Sequence, residues 1–69
     1  MIWINIGDKS YQATGINVAT TNDGFASLWI EKPTGKTMNV LTADESTIRE
    51  HKEAIDFAVK DGHKIYEIA

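Results

Sequence analysis

Residues 25–31 read FASLWIE, and the rest of the chain can be aligned with this stretch. Apolar residues alternate along it with small or polar ones at period two, which is typical of a β-strand. A turn signal stands on each side, Asn22-Asp23-Gly24 before it and Lys32-Pro33-Thr34-Gly35 after it. The pattern therefore predicts a strand that is shared by two hairpins.

The turn before this strand is a three-residue loop with glycine at the position that favours a left-handed backbone. A hairpin closed by Asn22-Asp23-Gly24 places Val18 opposite Leu28 and Ile16 opposite Ile30. Apolar residues then face each other across the two strands, as a buried sheet face requires.

The turn after it has proline at the second position and glycine at the fourth, which a type I turn prefers. It places Met38 opposite Ile30 and Val40 opposite Leu28. The two turns are independent signals, yet they select the same face, and such agreement favours a single fold. The shared face contains Ile16, Val18, Ala26, Leu28, Ile30, Met38 and Val40.

The N-terminal segment Met1–Ile6 also alternates and predicts a first strand. Gly7-Asp8 is suited to a two-residue hairpin loop of type II′, which leads into a long second strand over residues 9–21. The apolar residues change parity halfway along that strand. Because one extra residue moves the side chains to the other face, we expect a bulge at Gly15.

Residues 42–45, TADE, fit a capping box with Thr42 as the N-cap of a helix. The helix is expected over residues 43–61 and should end at Gly62, which suits the position after a helix. Residues 64–68 form a short last strand at the free edge of the first strand. The apolar stripe of the helix consists of Ile48, Ile55, Ala58 and Val59, with His51 and Ala54 beside it.

These elements predict an α+β fold in a single domain, residues 1–69. An antiparallel four-stranded meander is followed by one helix packed on one sheet face and by a short fifth strand, in the order β-β-β-β-α-β. A chain of 69 residues buries only about 60% of its unfolded surface, so the core is thin. The expected core contains Ile4, Ile16, Val18, Leu28, Ile30, Val40, Ile48, Ile55 and Val59.

Composition excludes several classes of protein. Ten acidic residues against seven basic ones give a net charge of −3, which argues against binding to a nucleic-acid backbone. The chain has no cysteine, so it has neither disulfides nor a thiolate metal site. The apolar run at residues 1–6 is too short for a signal peptide or a membrane span. We expect a soluble cytoplasmic protein without cofactor, metal or membrane partner.

Neither of two possible chemical signals predicts an enzyme. Thr34-Gly35-Lys36-Thr37 resembles the end of a phosphate-binding loop, but Ile30 stands where the leading glycine belongs, and a strand rather than a helix follows. His51 and His63 are the only histidines. Since His51 has no ligand partner or orienting carboxylate on its side of the helix, we interpret both as solvent-edge residues.

The sheet face opposite the helix is the candidate site. One helix covers one side of a sheet, so Trp3, Phe25 and Trp29 would lie exposed on the other. Exposed aromatic patches mark interaction surfaces, although a curled sheet could instead pack these rings on each other or on the last strand. The whole face was expected to contain Trp3, Asn17, Ala19, Phe25, Ser27, Trp29, Asn39 and Leu41.

Phe57 is a second candidate for partner binding. It lies about 160° from Ile55 around the helix axis, near the carboxylates of Glu50, Glu53 and Asp61. It could be an exposed aromatic anchor surrounded by acidic groups. It could equally belong to the flank of a wide apolar arc.

Three functions agree with these features. The first is a small non-catalytic protein-binding module that docks through the aromatic face or an edge strand. In its style it resembles the inhibitors and accessory proteins of phages and mobile elements. The second is a homodimer with sheets packed face to face, in a structural or regulatory role. The third is a single-stranded nucleic-acid binder, which ranks last because Lys9, Lys32, Lys36 and Lys64 do not line the aromatic face.

Overall fold

The computed structural model describes residues 1–68 and confirms the α+β fold class, with an antiparallel meander and one helix packed on the sheets. Six strands form two three-stranded sheets, in the orders β2-β1-β6 and β3-β4-β5. The elements are β1 (Ile2–Ile6), β2 (Lys9–Ala13), β3 (Gly15–Thr20), β4 (Phe25–Glu31), β5 (Thr37–Asp44), α1 (Glu45–Lys60) and β6 (Ile65–Ile68).

The first sheet contains the predicted N-terminal hairpin. β1 and β2 pair in the expected register, with Ile4 opposite Tyr11. Gly7 has a φ of 61° and no other residue type in the described chain has a positive φ, so the loop has the signature of a type II′ turn. β6 pairs with the free edge of β1, as predicted. The two strands run parallel, and Ile65 lies directly beside Trp3.

The predicted long second strand is two strands, because the chain changes partner at Thr14. Up to Ala13 it pairs with β1, and from Gly15 onward it pairs with β4. The Thr14 amide donates to the carbonyl of Glu31 at 2.8 Å, and the Thr14 hydroxyl donates to the same oxygen at 3.1 Å. This corner between two sheets produces the change of parity for which a bulge at Gly15 was expected.

The second sheet confirms both hairpin turns. Val18 pairs with Leu28, and Ile30 pairs with both Ile16 and Met38. At the second turn the Gly35 amide donates to the Lys32 carbonyl at 2.8 Å. Residues 34–37 are therefore a hairpin turn and not a phosphate-binding loop.

The bulge lies in β5. Trp29 pairs with Asn39 while Leu28 pairs with Leu41, so Val40 is the extra residue between them. The expected pairing of Val40 with Leu28 is wrong. Because a bulge shifts all later side chains by one position, the last half of β5 has the opposite parity to the one predicted.

This shift improves the burial of β5. Leu41 was expected on the outer face, but it packs against the core, as does Ala43. Thr42 points outward, and its hydroxyl forms hydrogen bonds with Ser27 at 3.0 Å and with the Asn39 amide group at 3.2 Å. The bulge thus places two apolar side chains inside and satisfies one polar side chain outside.

The helix begins two residues later than predicted, and Thr42 is not its N-cap. β5 continues to Asp44, whose carboxylate accepts from the Thr47 amide at 3.1 Å and from the hydroxyls of Ser46 and Thr47 at 2.7 Å each. Thr42 cannot cap because its side chain is part of the β4–β5 ladder. Asp44 therefore supplies the acceptor that the first turn of a helix requires.

The end of the helix agrees with the sequence to within one residue. α1 ends at Lys60, and Gly62 follows with a φ of 82°. The His63 amide donates to Ala58 at 2.9 Å and the Gly62 amide to Val59 at 3.1 Å. These two bonds form a Schellman motif, whose left-handed residue is most easily a glycine.

The core lies between α1 and the inner faces of both sheets. Ile16, Val18 and Val40, expected in the core, are partly buried at its edge. The expectation for Val59 is wrong, since it is 46% exposed; it lies in the last turn of the helix, near the gap between the two sheets. The buried residues are Ile2, Ile4, Ala13, Ala26, Leu28, Ile30, Ile48, Ile55 and Ile68.

The Asp44 cap leads to a prediction for acid stability. Hydrogen bonds from the Ser46 hydroxyl and then from Thr47 lower the pKa of Asp44 from 3.8 to about 2. A lowered folded-state pKa stabilises the protein above the unfolded pKa, and this stabilisation is lost as the pH falls from 3.8 towards about 2. Thermal unfolding across that range should show a smaller loss of Tm for Asp44→Asn, which does not titrate, than for the parent. Equal losses in both proteins would contradict this role of Asp44.

Candidate interaction surface

The structure separates the four aromatic residues predicted to bind a partner. Trp3 lies in the first sheet, Phe25 and Trp29 lie in the second, and Phe57 lies on the helix. The predicted single aromatic face assumed one continuous sheet. Because the chain changes sheets at Thr14, Trp3 does not share a sheet with the other two rings.

Phe25 and Trp29 lie on the outer face of β4, opposite in direction to its buried residues. Trp29 is partly buried, and its neighbours on the adjacent strands are Asn17 and Asn39. Phe25 is 49% exposed, four residues and so about 13 Å away along the strand. Ser27 stands between the rings, so this face carries two separate aromatic side chains on a polar background.

The outer face of the first sheet carries a denser apolar group. Trp3 is 43% exposed and its direct neighbour Ile65 is 55% exposed. On the other side of Trp3 lies Gln12, whose amide nitrogen contacts the sulfur of Met1. Met1 is 67% exposed. We call Met1, Trp3 and Ile65 the Trp3 surface.

Polar residues border the Trp3 surface along the strands. The Ser10 hydroxyl donates to the Asn5 side chain at 2.8 Å, and Asn5 pairs with Glu67 on the other side. The outer face of the first sheet is therefore apolar at one end and polar at the other. An apolar centre with a polar rim is the arrangement found in protein interfaces.

Sequence reasoning identified Trp3 but not Ile65 or Met1. The last strand was placed beside the first, but its direction and register were not assigned. A parallel strand in this register brings Ile65 next to Trp3, whereas an antiparallel one would pair different residues. The signal that could have found Ile65 is the alternation of residues 65–68, IYEI, relative to the buried Ile68.

Phe57 is strongly exposed, as one of the two interpretations expected, with 69% of its surface accessible. It shares a shallow depression with Glu50, Glu53 and Ala54. Asp61 is not part of this group, since its carboxylate lies 3.1 Å from the His63 ring. Phe57 is thus a single ring beside two acidic residues.

His51 is not a solvent-edge residue. Its Nδ1 lies 2.9 Å from the hydroxyl of Tyr66, and the two rings meet edge to face with centroids 6.0 Å apart. Burial raises the pKa of Tyr66, so its hydroxyl remains protonated at neutral pH. The pair links α1 to β6 and thereby holds β6 beside β1. His63 is exposed, as expected.

Two concave features lie near the gap between the sheets. A cleft of about 150 Å³ involves Met1, Ile2 and Val59. A larger groove of about 440 Å³ lies between β2 and the turn at residues 32–35, with Tyr11, Ile30 and Met38 among its lining residues. The larger groove is within the size range of sites that bind small molecules or side chains.

Residues 1–68 contain no group of three histidine, aspartate or glutamate side chains placed to hold a metal ion. Within the same residues, no helix has the length and apolar character needed to cross a membrane. Comparison of the chain with protein-family models, with curated proteins and with solved structures finds no match.

Proposed function

We propose that this protein is a non-catalytic module that binds another protein through the Trp3 surface. The observation that carries the proposal is that three large, exposed apolar side chains lie side by side on one sheet face. Contiguous apolar groups of this kind are uncommon on the free surface of a monomer. A rigid sheet also presents them with little conformational freedom to lose on binding.

Trp3 should contribute most of the binding energy. Tryptophan buries a large apolar area and is the residue type most enriched at interface hot spots. A standard interface covers about 800 Å² of each partner, roughly a sixth of the 4636 Å² surface of this chain. A partner must therefore also contact the polar rim, and the rim residues Asn5 and Glu67 would set its orientation.

The biological setting that we propose is that of an inhibitor or accessory protein of the phage or mobile-element type, acting in the cytoplasm. The support is the short chain with a single functional surface and an analogy in style. The candidate catalytic residue His51 bonds to Tyr66 rather than to a carboxylate, which supports a non-catalytic role.

Self-association through the same surface is the second candidate. Lys64 immediately precedes Ile65, and Glu67 lies on the same face two residues beyond it. In a two-fold dimer each residue meets the surface of the other copy, so these opposite charges could pair across the axis. This arrangement favours face-to-face packing of the first sheets.

The main test replaces Trp3 with alanine. Loss of a hot-spot side chain of about 2 kcal/mol or more weakens Kd about 30-fold or more, while the fold should persist because Trp3 faces away from the core. Phe57→Ala is the matched control, since it removes an equally exposed ring from the helix. Proteins captured from the source cell by the parent and by Phe57→Ala, but not by Trp3→Ala, would be the specific partners.

Light scattering of the purified protein separates the two candidates, because only self-association predicts a dimer that Trp3→Ala converts to a monomer. The premise can be tested by fluorescence in the Trp29→Phe variant, which leaves Trp3 as the only indole. A soluble quencher should reach that indole in a verified monomer. A blue-shifted and inaccessible Trp3, or loss of binding in Trp29→Ala or Phe57→Ala but not in Trp3→Ala, would refute the proposed surface.

A further inference from the structure

The groove between β2 and the turn at residues 32–35 has an apolar floor. Ile30 is almost fully buried at its base, and Tyr11 and Met38 are partly buried beside it. The groove opens where β2 leaves β4, just beyond the hydrogen bond between Thr14 and Glu31. It is therefore a gap between two strands rather than a hollow in a loop.

The backbone of β2 faces this gap with unused hydrogen-bonding groups. The Trp3 amide donates to Lys64 on the opposite side, at 2.8 Å, so the pair formed by Trp3 and Gln12 is not a hydrogen-bonded pair. In an antiparallel ladder the amide and carbonyl of such a residue point away from its partner. Gln12 and, two residues earlier, Ser10 thus direct their backbone groups outward, as Thr14 does towards Glu31.

The groove also has a charge preference. Among its described lining residues, Lys32 is the one with a full positive charge. Its amide donates to the carbonyl of Lys36 at 2.7 Å across the turn, which keeps a second lysine nearby. The chain as a whole carries a net charge of −3, so this end of the groove is a local positive region that would attract a carboxylate.

We propose that the groove binds an extended acidic peptide of a partner protein, which adds a strand to the free edge of β2. Main-chain hydrogen bonds to Ser10 and Gln12 would hold the peptide, as in other cases of strand addition. A large apolar side chain would cover Tyr11 and Met38, and an aspartate or glutamate would lie near Lys32. The inference rests on different residues from the Trp3 surface and does not depend on it.

The test uses a phage-displayed library of random seven-residue peptides selected against the whole protein. We expect enriched peptides in which apolar residues alternate with Asp or Glu. Gln12→Pro should weaken their Kd about tenfold or more, because proline removes the outward amide and obstructs an added strand. Proline is tolerated on an edge strand whose amide faces solvent, and Gln12→Ala, which retains the amide, should bind like the parent.

Lys32→Glu is the second variant, because it lies in an exposed turn and does not affect the strand edge. It should reverse the selection from acidic to basic peptides, while Trp3→Ala should leave peptide binding unchanged. The proposal is overturned if no peptide is enriched over an unrelated protein, or if enriched peptides bind the folded Gln12→Pro and Lys32→Glu variants as well as the parent. A dimer of the pure protein that Gln12→Pro dissociates would assign the groove to a second copy and would also overturn it.

Discussion

Replacing Leu28 with alanine is expected to cost about 2–5 kcal/mol of unfolding free energy, the usual range for a fully buried leucine. Leu28 has no exposed surface and lies between Val18 and Leu41 at the centre of the second sheet. A domain of this size has a total stability of only about 3–10 kcal/mol. The substitution should therefore leave a protein that is partly unfolded at room temperature.

Urea denaturation followed by far-UV circular dichroism measures this effect. Ile65→Ala is the matched control, because it also truncates an aliphatic strand residue but one that is 55% exposed. Surface substitutions usually change stability by about 0.5 kcal/mol or less. Similar midpoints for Leu28→Ala and the parent would show that Leu28 is not in the core.

Deleting Ala43 is expected to cost about 3–6 kcal/mol, because it removes the residue count on which the β5 bulge depends. If Asn39 and Asp44 keep their partners on β4, the shortened strand must lose its bulge. Leu41 then leaves the core and the Thr42 hydroxyl enters it, away from Ser27. Both changes are unfavourable, the first by loss of apolar burial and the second by burial of an unsatisfied polar group.

Deleting Val40 is the matched control and should cost only about 1 kcal/mol, the value of one partly buried valine. This deletion also removes the bulge, but it leaves Leu41 opposite Leu28 and Thr42 opposite Ser27. The two deletions shorten the same strand by one residue, so thermal unfolding of both isolates the effect of side-chain direction. Equal stabilities would contradict the position of the bulge.

Most pairings could be predicted from the sequence because turns restrict registers. Gly7-Asp8, Asn22-Asp23-Gly24 and residues 32–35 each define a short loop, and the pairs adjacent to each loop are confirmed. The separation into two sheets was also implicit. The predicted registers assign residues 9–13 to the first strand and residues 16–21 to the third, so no residue of that segment is paired on both sides.

The bulge and the helix cap were not predicted because both depend on tertiary competition. Locally, Thr42 with Glu45 is a good capping box, and Val40 continues the alternation of β5. The structure instead gains the burial of Leu41 and Ala43, which commits Thr42 to the ladder and leaves Asp44 as the cap. No local pattern compares those two outcomes.

The candidate site was predicted in part. An exposed Trp3 follows from the alternation of β1, and exposure of Phe25 and Phe57 follows from strand and helix periodicity. The contact between Trp3 and Ile65 depends on the direction of β6, which is set by its position after the helix rather than by its own residues. A short strand of four residues carries too little information to specify its own register.

The parallel pairing of β6 with β1 also constrains how the protein is made. Nearly the whole chain separates Trp3 from Ile65, so the first strand to be synthesised is among the last to be completed. Contacts between such distant residues slow folding, since the loop between them must close first. Until β6 leaves the ribosome, one edge of the β1–β2 hairpin remains open to other chains, and such edges promote aggregation. Rapid completion of synthesis therefore protects this fold.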